Sequence, residues 1–201
     1  MADVFGKQLD WVDRKLGIVE DALNAIAGLM IFGLMFLGVI QIILRAVFRS
    51  PIYGYIDIVE VSMVGFTLMS ISYVQRVGGH VRMELFVTKL RGRLHWIAEF
   101  LSTVLTGAIV AILIPSSYAH FSRAYKFGDS TIDIQLLTWP AKLVVPVALS
   151  ILLVRIIIQM FGYMRLAYRP DLPPVGVPLI KTVEEQAEEE IELAEEVRST
   201  Q

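Results

Sequence analysis

The chain has 201 residues, of which 55% are hydrophobic and 19% are charged, and its formal net charge is -2. Soluble domains are usually nearer half apolar and a quarter charged, so this composition indicates an integral membrane protein. Cysteine is absent, which excludes disulfides, thiolate metal sites and thiol redox chemistry.

Residues 1–21 predict an amphipathic helix that lies at the membrane interface. Phe5, Leu9, Val12 and Leu16 recur on one helical face, and Trp11 suits the headgroup region of a bilayer. The acidic residues of this segment are Asp3, Asp10, Asp13, Glu20 and Asp21. Their charge and the length of the apolar segment that follows argue against a cleaved signal peptide.

Residues 22–164 predict a bundle of four transmembrane helices. Apolar segments long enough to cross about 30 Å of hydrocarbon run approximately over residues 22–43, 56–74, 94–119 and 142–164. The expected fold is therefore an all-α integral membrane protein with interfacial amphipathic helices.

A basic connection joins the second and third predicted spans. Its basic residues are Arg76, Arg82, Lys89, Arg91 and Arg93. Short loops rich in Lys and Arg stay in the cytoplasm, so both termini are predicted to be cytoplasmic. The same segment is amphipathic, and we expect it to lie on the anionic inner leaflet, where each basic side chain adds about 1 kcal/mol of binding free energy.

Residues 165–201 predict a proline-rich linker followed by an acidic helix. From Asp171 onward there are nine acidic and two basic residues, a charge of about -7, so the rest of the chain carries about +5. A solubilising tail is the simplest interpretation.

Charged residues within the spans are candidates for function because they are costly in hydrocarbon. Arg45 and Glu60, with Asp57 one turn away, predict an ion pair that locks the first hairpin near its outer end. A ligand for a transported ion and an unpaired charge that reaches the interface are the alternatives. Glu99 and Arg155 predict a second pair, unless Arg155 reaches the surface on its own.

Thr103, Gly107 and Ala111 form a stripe of small residues that allows close helix packing, either within this chain or with a partner. None of the three histidines is placed at the depth where paired imidazoles would ligate haem; they are His80, His95 and His120. We expect no catalytic residue, metal or cofactor.

Two segments resemble the small membrane subunit, of the DctQ type, of tripartite ATP-independent periplasmic (TRAP) transporters. The first is "RAVFRSPIYGYIDIVEVSMVGFTLMSISYVQRVGGHVRMELF", and the second is "FGDSTIDIQLLTWPAKLVVPVALSILLVR". The residues that carry the resemblance in the first are Arg45, Pro51, Gly54, Glu60, Gly79, His80, Val81 and Glu84. In the second they are Gly128, Ser130, Pro140 and Pro146. The resemblance covers residues 45–158.

The resemblance implies a transporter subunit and not an enzyme. Its implied partners are a large membrane subunit, an extracytoplasmic substrate-binding protein and the lipid bilayer, with no nucleic acid. The large subunit would carry an organic acid with sodium across the inner membrane of a bacterium or archaeon, and this chain would widen its stationary scaffold. The alternatives are a self-sufficient small multidrug-type transporter that uses Glu60, and a four-helix membrane enzyme.

Overall fold

A computed structural model of the chain describes residues 2–78, 93–168 and 176–177, with side chains from Leu9 and from Trp96 onward in the first two ranges. Five helices occur in these ranges, and no β-strand does. They are α1 (Ala2–Val47), α2 (Tyr55–Met69), α3 (Ile71–Val77), α4 (Arg93–Phe127) and α5 (Trp139–Tyr168).

Four helical segments are long and apolar enough to cross a membrane: Leu9–Val47, Tyr55–Val77, Trp96–Phe127 and Trp139–Tyr168. The second segment combines α2 and α3. The predicted all-α fold with four spans is therefore confirmed.

Helix α1 differs from the prediction at its N-terminal part. The predicted interfacial helix and the first span form one continuous helix of 46 residues, about 69 Å long at 1.5 Å per residue. No proline occurs in this stretch, so nothing in it breaks the helical hydrogen bonding. That residues 1–21 lie at the membrane interface remains a prediction.

Helix α5 lies at the centre of the bundle. It contacts each of the other four helices, whereas α4 packs on α5 alone among the described helices. The apolar core consists of Val110 on α4 with Leu149, Leu152 and Ile156 on α5.

The face of α4 that packs on α5 includes part of the predicted stripe of small residues. Thr103 is buried, and a Cβ placed on Gly107 would lie only 3.1 Å from the Ile156 Cγ2 atom. Ala111 is exposed, and the packed face continues at Val110. Because a helix has 3.6 residues per turn, a strict spacing of four drifts off the contact face. The stripe therefore serves packing within this chain at two of its three positions.

The two short helix connections lie together at one end of the bundle. The Tyr53 hydroxyl, between α1 and α2, donates a 2.6 Å hydrogen bond to the Asp133 carbonyl oxygen, between α4 and α5. We call residues 48–54 and 128–138 the loop end. That the loop end faces outward and both termini face the cytoplasm remains a prediction.

Of the predicted C-terminal segment 165–201, residues 165–168 complete α5, and Gly176 lies against the bundle. A Cβ added to Gly176 would lie 3.1 Å from Ile158 Cγ2 on α5 and 4.0 Å from Leu9 Cδ2 on α1. The predicted acidic helix that follows lies outside the described residues.

Candidate functional site

Eight polar side chains, five of them buried, gather where α1, α3 and α5 meet, away from the loop end. We call this group the polar cluster. Its members are Asp13, Glu20 and Asp21 on α1, Ser72, Gln75 and Arg76 on α3, and Arg155 and Gln159 on α5. Glu20 and Gln159 are 0% exposed and Arg155 is 1% exposed, so these groups depend on one another for their hydrogen bonds.

Arg155 is the central cation of the polar cluster. Its guanidinium forms a bidentate hydrogen bond with the Glu20 carboxylate, in which Nε donates to Oε1 at 2.8 Å and Nη2 donates to Oε2. The third nitrogen, Nη1, pairs with Asp13. This fork arrangement is the strongest geometry for an arginine and a carboxylate, because both planar groups are satisfied at once.

The sequence predicted a pair between Arg155 and Glu99. In the structure Arg155 pairs instead with Glu20 and Asp13 of α1. The contact between Gly107 and Ile156 places Arg155 level with about Ala108 of the antiparallel α4. Glu99 lies nine residues from that level, about 14 Å along the helix. Glu99 is itself buried on α4.

Glu20 joins all three helices of the polar cluster. Besides Arg155, it accepts a 2.6 Å hydrogen bond from the Ser72 hydroxyl and lies 3.5 Å from Arg76 Nε. Side chains of three residues, Arg155, Ser72 and Arg76, therefore surround the Glu20 carboxylate, which has no contact with solvent. A single residue of α1 thus holds both α3 and α5.

Arg76 closes the cluster on its exposed side. It forms an ion pair with Asp21, and its guanidinium carbon lies 5.1 Å from the ring centre of Tyr73. A Cβ on Gly17 would collide with Arg76 Nη1 at 2.5 Å, so the glycine makes room for the guanidinium. The role of Arg76 as an inner-leaflet anchor remains a prediction. In the structure its guanidinium pairs with Glu20 and Asp21 of α1.

A neutral pair extends the cluster between α3 and α5. Gln75 Nε2 donates to Gln159 Oε1 at 2.7 Å, and Gln159 Nε2 donates to the Gln75 carbonyl oxygen at 3.0 Å. Each side-chain amide thereby has a hydrogen-bond partner in the bundle interior, where an unpaired amide would be costly.

The chemistry of the polar cluster is therefore that of a structural joint. The guanidinium groups of Arg155 and Arg76 are paired with carboxylates. The Glu20 carboxylate accepts hydrogen bonds from Arg155 and Ser72, so it is not available as a base for proton transfer. Within the described residues, no group of three His, Asp or Glu side chains is arranged to hold a metal ion.

The loop end is held by backbone donors and by carboxylates. Asp129 forms an ion pair with Lys142, in which the Lys142 Nζ atom lies 2.7 Å from Asp129 Oδ2. Asp57 is 4% exposed and accepts hydrogen bonds from the Asp133 N–H at 3.1 Å and the Ile134 N–H at 2.8 Å. Asp57 was predicted to belong to the Arg45 and Glu60 pair. Instead it fastens the start of α2 to the connection between α4 and α5.

Gly54 fits this junction for two independent reasons. Its φ of 75° lies in the left-handed region, and a Cβ there would collide with the Ile134 side chain.

Among the other family-motif residues, Gly128 has a φ of 70° at the end of α4, and Ser130 forms an isolated β-bridge with Leu137. Pro140 lies in the first turn of α5, a position suited to proline. Pro146 is buried further along α5, and Pro51 precedes α2.

Arg45 and Glu60 do not meet. Both are exposed, and no ion pair joins them within the part of the chain that the structure describes. The contact of Gly65 with Met30 and the bond from Ser72 to Glu20 set the register of the first hairpin. This register places Glu60 level with about Leu34 of α1. Leu34 is eleven residues from Arg45, which is a distance of about 16 Å along the helix.

The remaining predicted positions lie outside the described residues. These are Gly79, His80, Val81 and Glu84 of the family motif, and Arg82, Lys89 and Arg91 of the predicted inner-leaflet anchor. Arg93 begins α4, and its side chain also lies outside the description.

Sequence reasoning missed Asp13, Glu20, Ser72, Gln75 and Gln159 as members of a site. The acidic residues before the first span served only as an argument against a signal peptide. One available signal was the absence of proline from residues 1–50. A continuous helix places Asp13 and Glu20 seven residues apart on one face, where both can approach the same cation.

These features define an all-α, multi-pass membrane protein whose buried charges are paired between helices. The chain matches the family model described as "Tripartite ATP-independent periplasmic transporters, DctQ component" over residues 18–166. It therefore belongs to the DctQ family, the small membrane component of TRAP transporters, and the resemblance in the sequence is confirmed. A search of curated proteins found no match.

Proposed function

We propose that this chain is a rigid scaffold subunit of a TRAP transporter in the cytoplasmic membrane of a bacterium or archaeon. In this proposal it binds the large membrane subunit, which carries an organic acid with sodium. A soluble extracytoplasmic protein delivers that acid. The family match to a transporter component supports this assignment.

The polar cluster is the observation that carries the scaffold role. Glu20 and Arg155 pair with each other across α1 and α5, and Ser72 and Asp13 add further hydrogen bonds to this pair. Losing one partner would leave a buried charge, so the helices are expected to stay in one arrangement. A subunit held in this way suits a stationary support for a moving neighbour.

The exterior of the bundle also suits a scaffold in lipid. Phe32 and Phe36 on α1, and Leu105 and Ile112 on α4, are all more than half exposed. Such apolar surface is stable against lipid chains or another membrane protein.

Reconstitution in liposomes tests the proposal. The purified chain alone is expected to bind and transport no organic acid, with or without a sodium gradient. Adding the large subunit and the binding protein is expected to produce sodium-driven uptake. Full uptake without this chain would contradict its role as a required subunit.

The proposed orientation is tested by cysteine labelling, which is simple because the chain has no cysteine. A cysteine at Ile132, which is 95% exposed at the loop end, is expected to react with an impermeant reagent added to intact cells. A cysteine at Arg91 is expected to remain unlabelled until the membrane is opened. The reverse pattern would invert the orientation.

A small self-sufficient transporter is the second candidate, because Glu60 is exposed within a span. Such a transporter uses one membrane carboxylate to bind a proton and substrate in turn. Proton- or sodium-driven transport by the chain alone, abolished by Glu60→Gln, would favour this candidate over the scaffold.

A further inference from the structure

The chain turns back on the bundle after α5. Helix α5 ends at Tyr168, yet a Cβ added to Gly176 would lie 3.1 Å from Ile158 Cγ2. Ile158 is ten residues before Tyr168, so Gly176 is level with a point about 15 Å back along α5. The same Cβ would lie 4.0 Å from Leu9 Cδ2 on α1. The C-terminal part of the chain therefore starts from a position against both α5 and α1.

Arg165 lies on the same face of α5 as Ile158, toward the end of the helix. The two residues are seven positions apart, which is about two helical turns or 10 Å. The Nε and Nη1 atoms of Arg165 are enclosed and have no hydrogen-bond partner within the described part of the chain. The residue as a whole is only partly buried, so its guanidinium lies near the surface of the bundle.

An enclosed guanidinium normally has an anionic partner. Arg155 of the same helix pairs with Glu20 and Asp13, and a buried cation without such a partner is costly. Arg165 lies in the last turn of α5, where the helix dipole favours a cation, but this interaction is weaker than pairing with a carboxylate. Arg165 is therefore a site for an anion.

The segment that follows Val177 is rich in carboxylates. Residues 178–201, which we call the acidic segment, contain eight acidic and two basic residues, a net charge of -6. Its first carboxylate, Glu184, is eight residues after Gly176, and a chain of this length spans up to about 26 Å. This reach exceeds the 10 Å or so between the levels of Ile158 and Arg165.

The acidic segment also has an apolar stripe, so its sequence predicts an amphipathic helix that can pack on a surface. The members of the stripe recur every three or four residues and are Val183, Ala187, Ile191, Ala194 and Val197.

We propose that the acidic segment docks on the bundle beside Arg165, and that one of its glutamates pairs with the Arg165 guanidinium. The position of Gly176 favours this occupant, because the chain already lies on the Ile158 and Arg165 face where the acidic segment begins. The short tether also gives these glutamates an effective concentration on the order of millimolar at Arg165. The acidic segment is then an intramolecular ligand, and not only a solubilising tail.

Limited proteolysis of the isolated subunit with a glutamate-specific protease tests the docking. Arg165→Gln is expected to speed cleavage within the acidic segment about tenfold or more, because the segment is released. Arg123→Gln is the matched control, since Arg123 is an exposed arginine near the loop end, and it is expected to leave the cleavage rate unchanged. Equal cleavage rates in wild type and Arg165→Gln would overturn the proposal.

Spin labelling tests the docking without a change at Arg165. The chain has no cysteine, so a single cysteine at Gln186 carries the label in an otherwise wild-type subunit. Its electron paramagnetic resonance spectrum is expected to show restricted motion. Rapid, unrestricted motion of this label would overturn the proposal.

Thermal melting of the isolated subunit identifies the partner of Arg165. Truncation after Val177 and Arg165→Gln are each expected to lower the melting temperature, and the combined variant is expected to melt no lower than the more harmful single change. Additive losses would overturn the pairing. A loss from Arg165→Gln that appears only in nanodiscs containing phosphatidylglycerol would also overturn it, because the partner would then be a lipid headgroup. These measurements use this chain alone, so their outcome is independent of the proposed transporter assembly.

Discussion

The two ends of this bundle are held together by different chemistry. In the polar cluster, Arg155 and Glu20 join α5 to α1 through fully buried opposite charges. At the loop end, Asp57 and the Tyr53 hydroxyl join neighbouring connections mainly through backbone groups. The first arrangement concentrates stability in a few side chains, whereas the second depends on backbone conformation. Substitutions at the two ends should therefore differ in size and in cause.

The largest expected effect is from Arg155→Met. It leaves the buried Glu20 carboxylate without its main partner, and breaking a buried pair typically costs about 3–5 kcal/mol of unfolding free energy. Denaturant unfolding in detergent micelles measures this loss. The double variant Glu20→Leu with Arg155→Met is expected to recover part of it, since neither charge then remains buried.

Arg45→Met is the matched control for Arg155→Met, since Arg45 is an exposed arginine in a span. Its effect on unfolding is expected to be below about 1 kcal/mol. Equal losses from the two substitutions would show that burial and pairing of Arg155 do not determine its contribution.

At the loop end, the largest expected effect is from Gly54→Ala. The left-handed conformation costs an alanine about 1–2 kcal/mol, and the collision of its Cβ with Ile134 adds a cost of repacking. Gly128→Ala is the matched control, because Gly128 has a similar φ of 70° with nothing within 4 Å of its added Cβ. Thermal melting is expected to show a larger loss for Gly54→Ala, and equal losses would mean that Ile134 moves aside freely.

Between the two ends, Gly107→Leu tests the close contact of α4 with α5. A leucine meets Ile156 where even a Cβ lies at 3.1 Å, and overpacking of this kind costs about 1–3 kcal/mol. Ala111→Leu adds the same type of side chain at an exposed position of α4 and is expected to change unfolding little. If Ala111→Leu were the more harmful in the isolated subunit, the assigned packing face would be wrong.

The smallest expected effect is the coupling between Arg45 and Glu60. Because they are about 16 Å apart along the hairpin, the two single substitutions to Gln are expected to add within about 0.5 kcal/mol. A double-mutant cycle on the isolated subunit measures this coupling. A coupling free energy above about 1 kcal/mol would show that Arg45 and Glu60 interact directly, as the sequence predicted.

The sequence by itself was sufficient for the four spans, the all-α class and the family. Span recognition depends on the length and composition of continuous apolar segments, and family recognition depends on the order of residues such as Gly54, Gly128 and Pro140. Both kinds of information are local in the chain. The membership of Thr103 and Gly107 in a packing face was also predictable, since it follows from helical spacing.

The tertiary structure alone decided which charges meet, because pairing depends on the register between helices. Depths counted from the ends of apolar segments assume that each helix begins at the same membrane level. Here the first connection folds back, with the Ile52 N–H donating to Gln41 Oε1 at 2.7 Å, so α2 begins well below the end of α1. This offset separates Arg45 from Glu60, while the unbroken α1 brings Glu20 to Arg155.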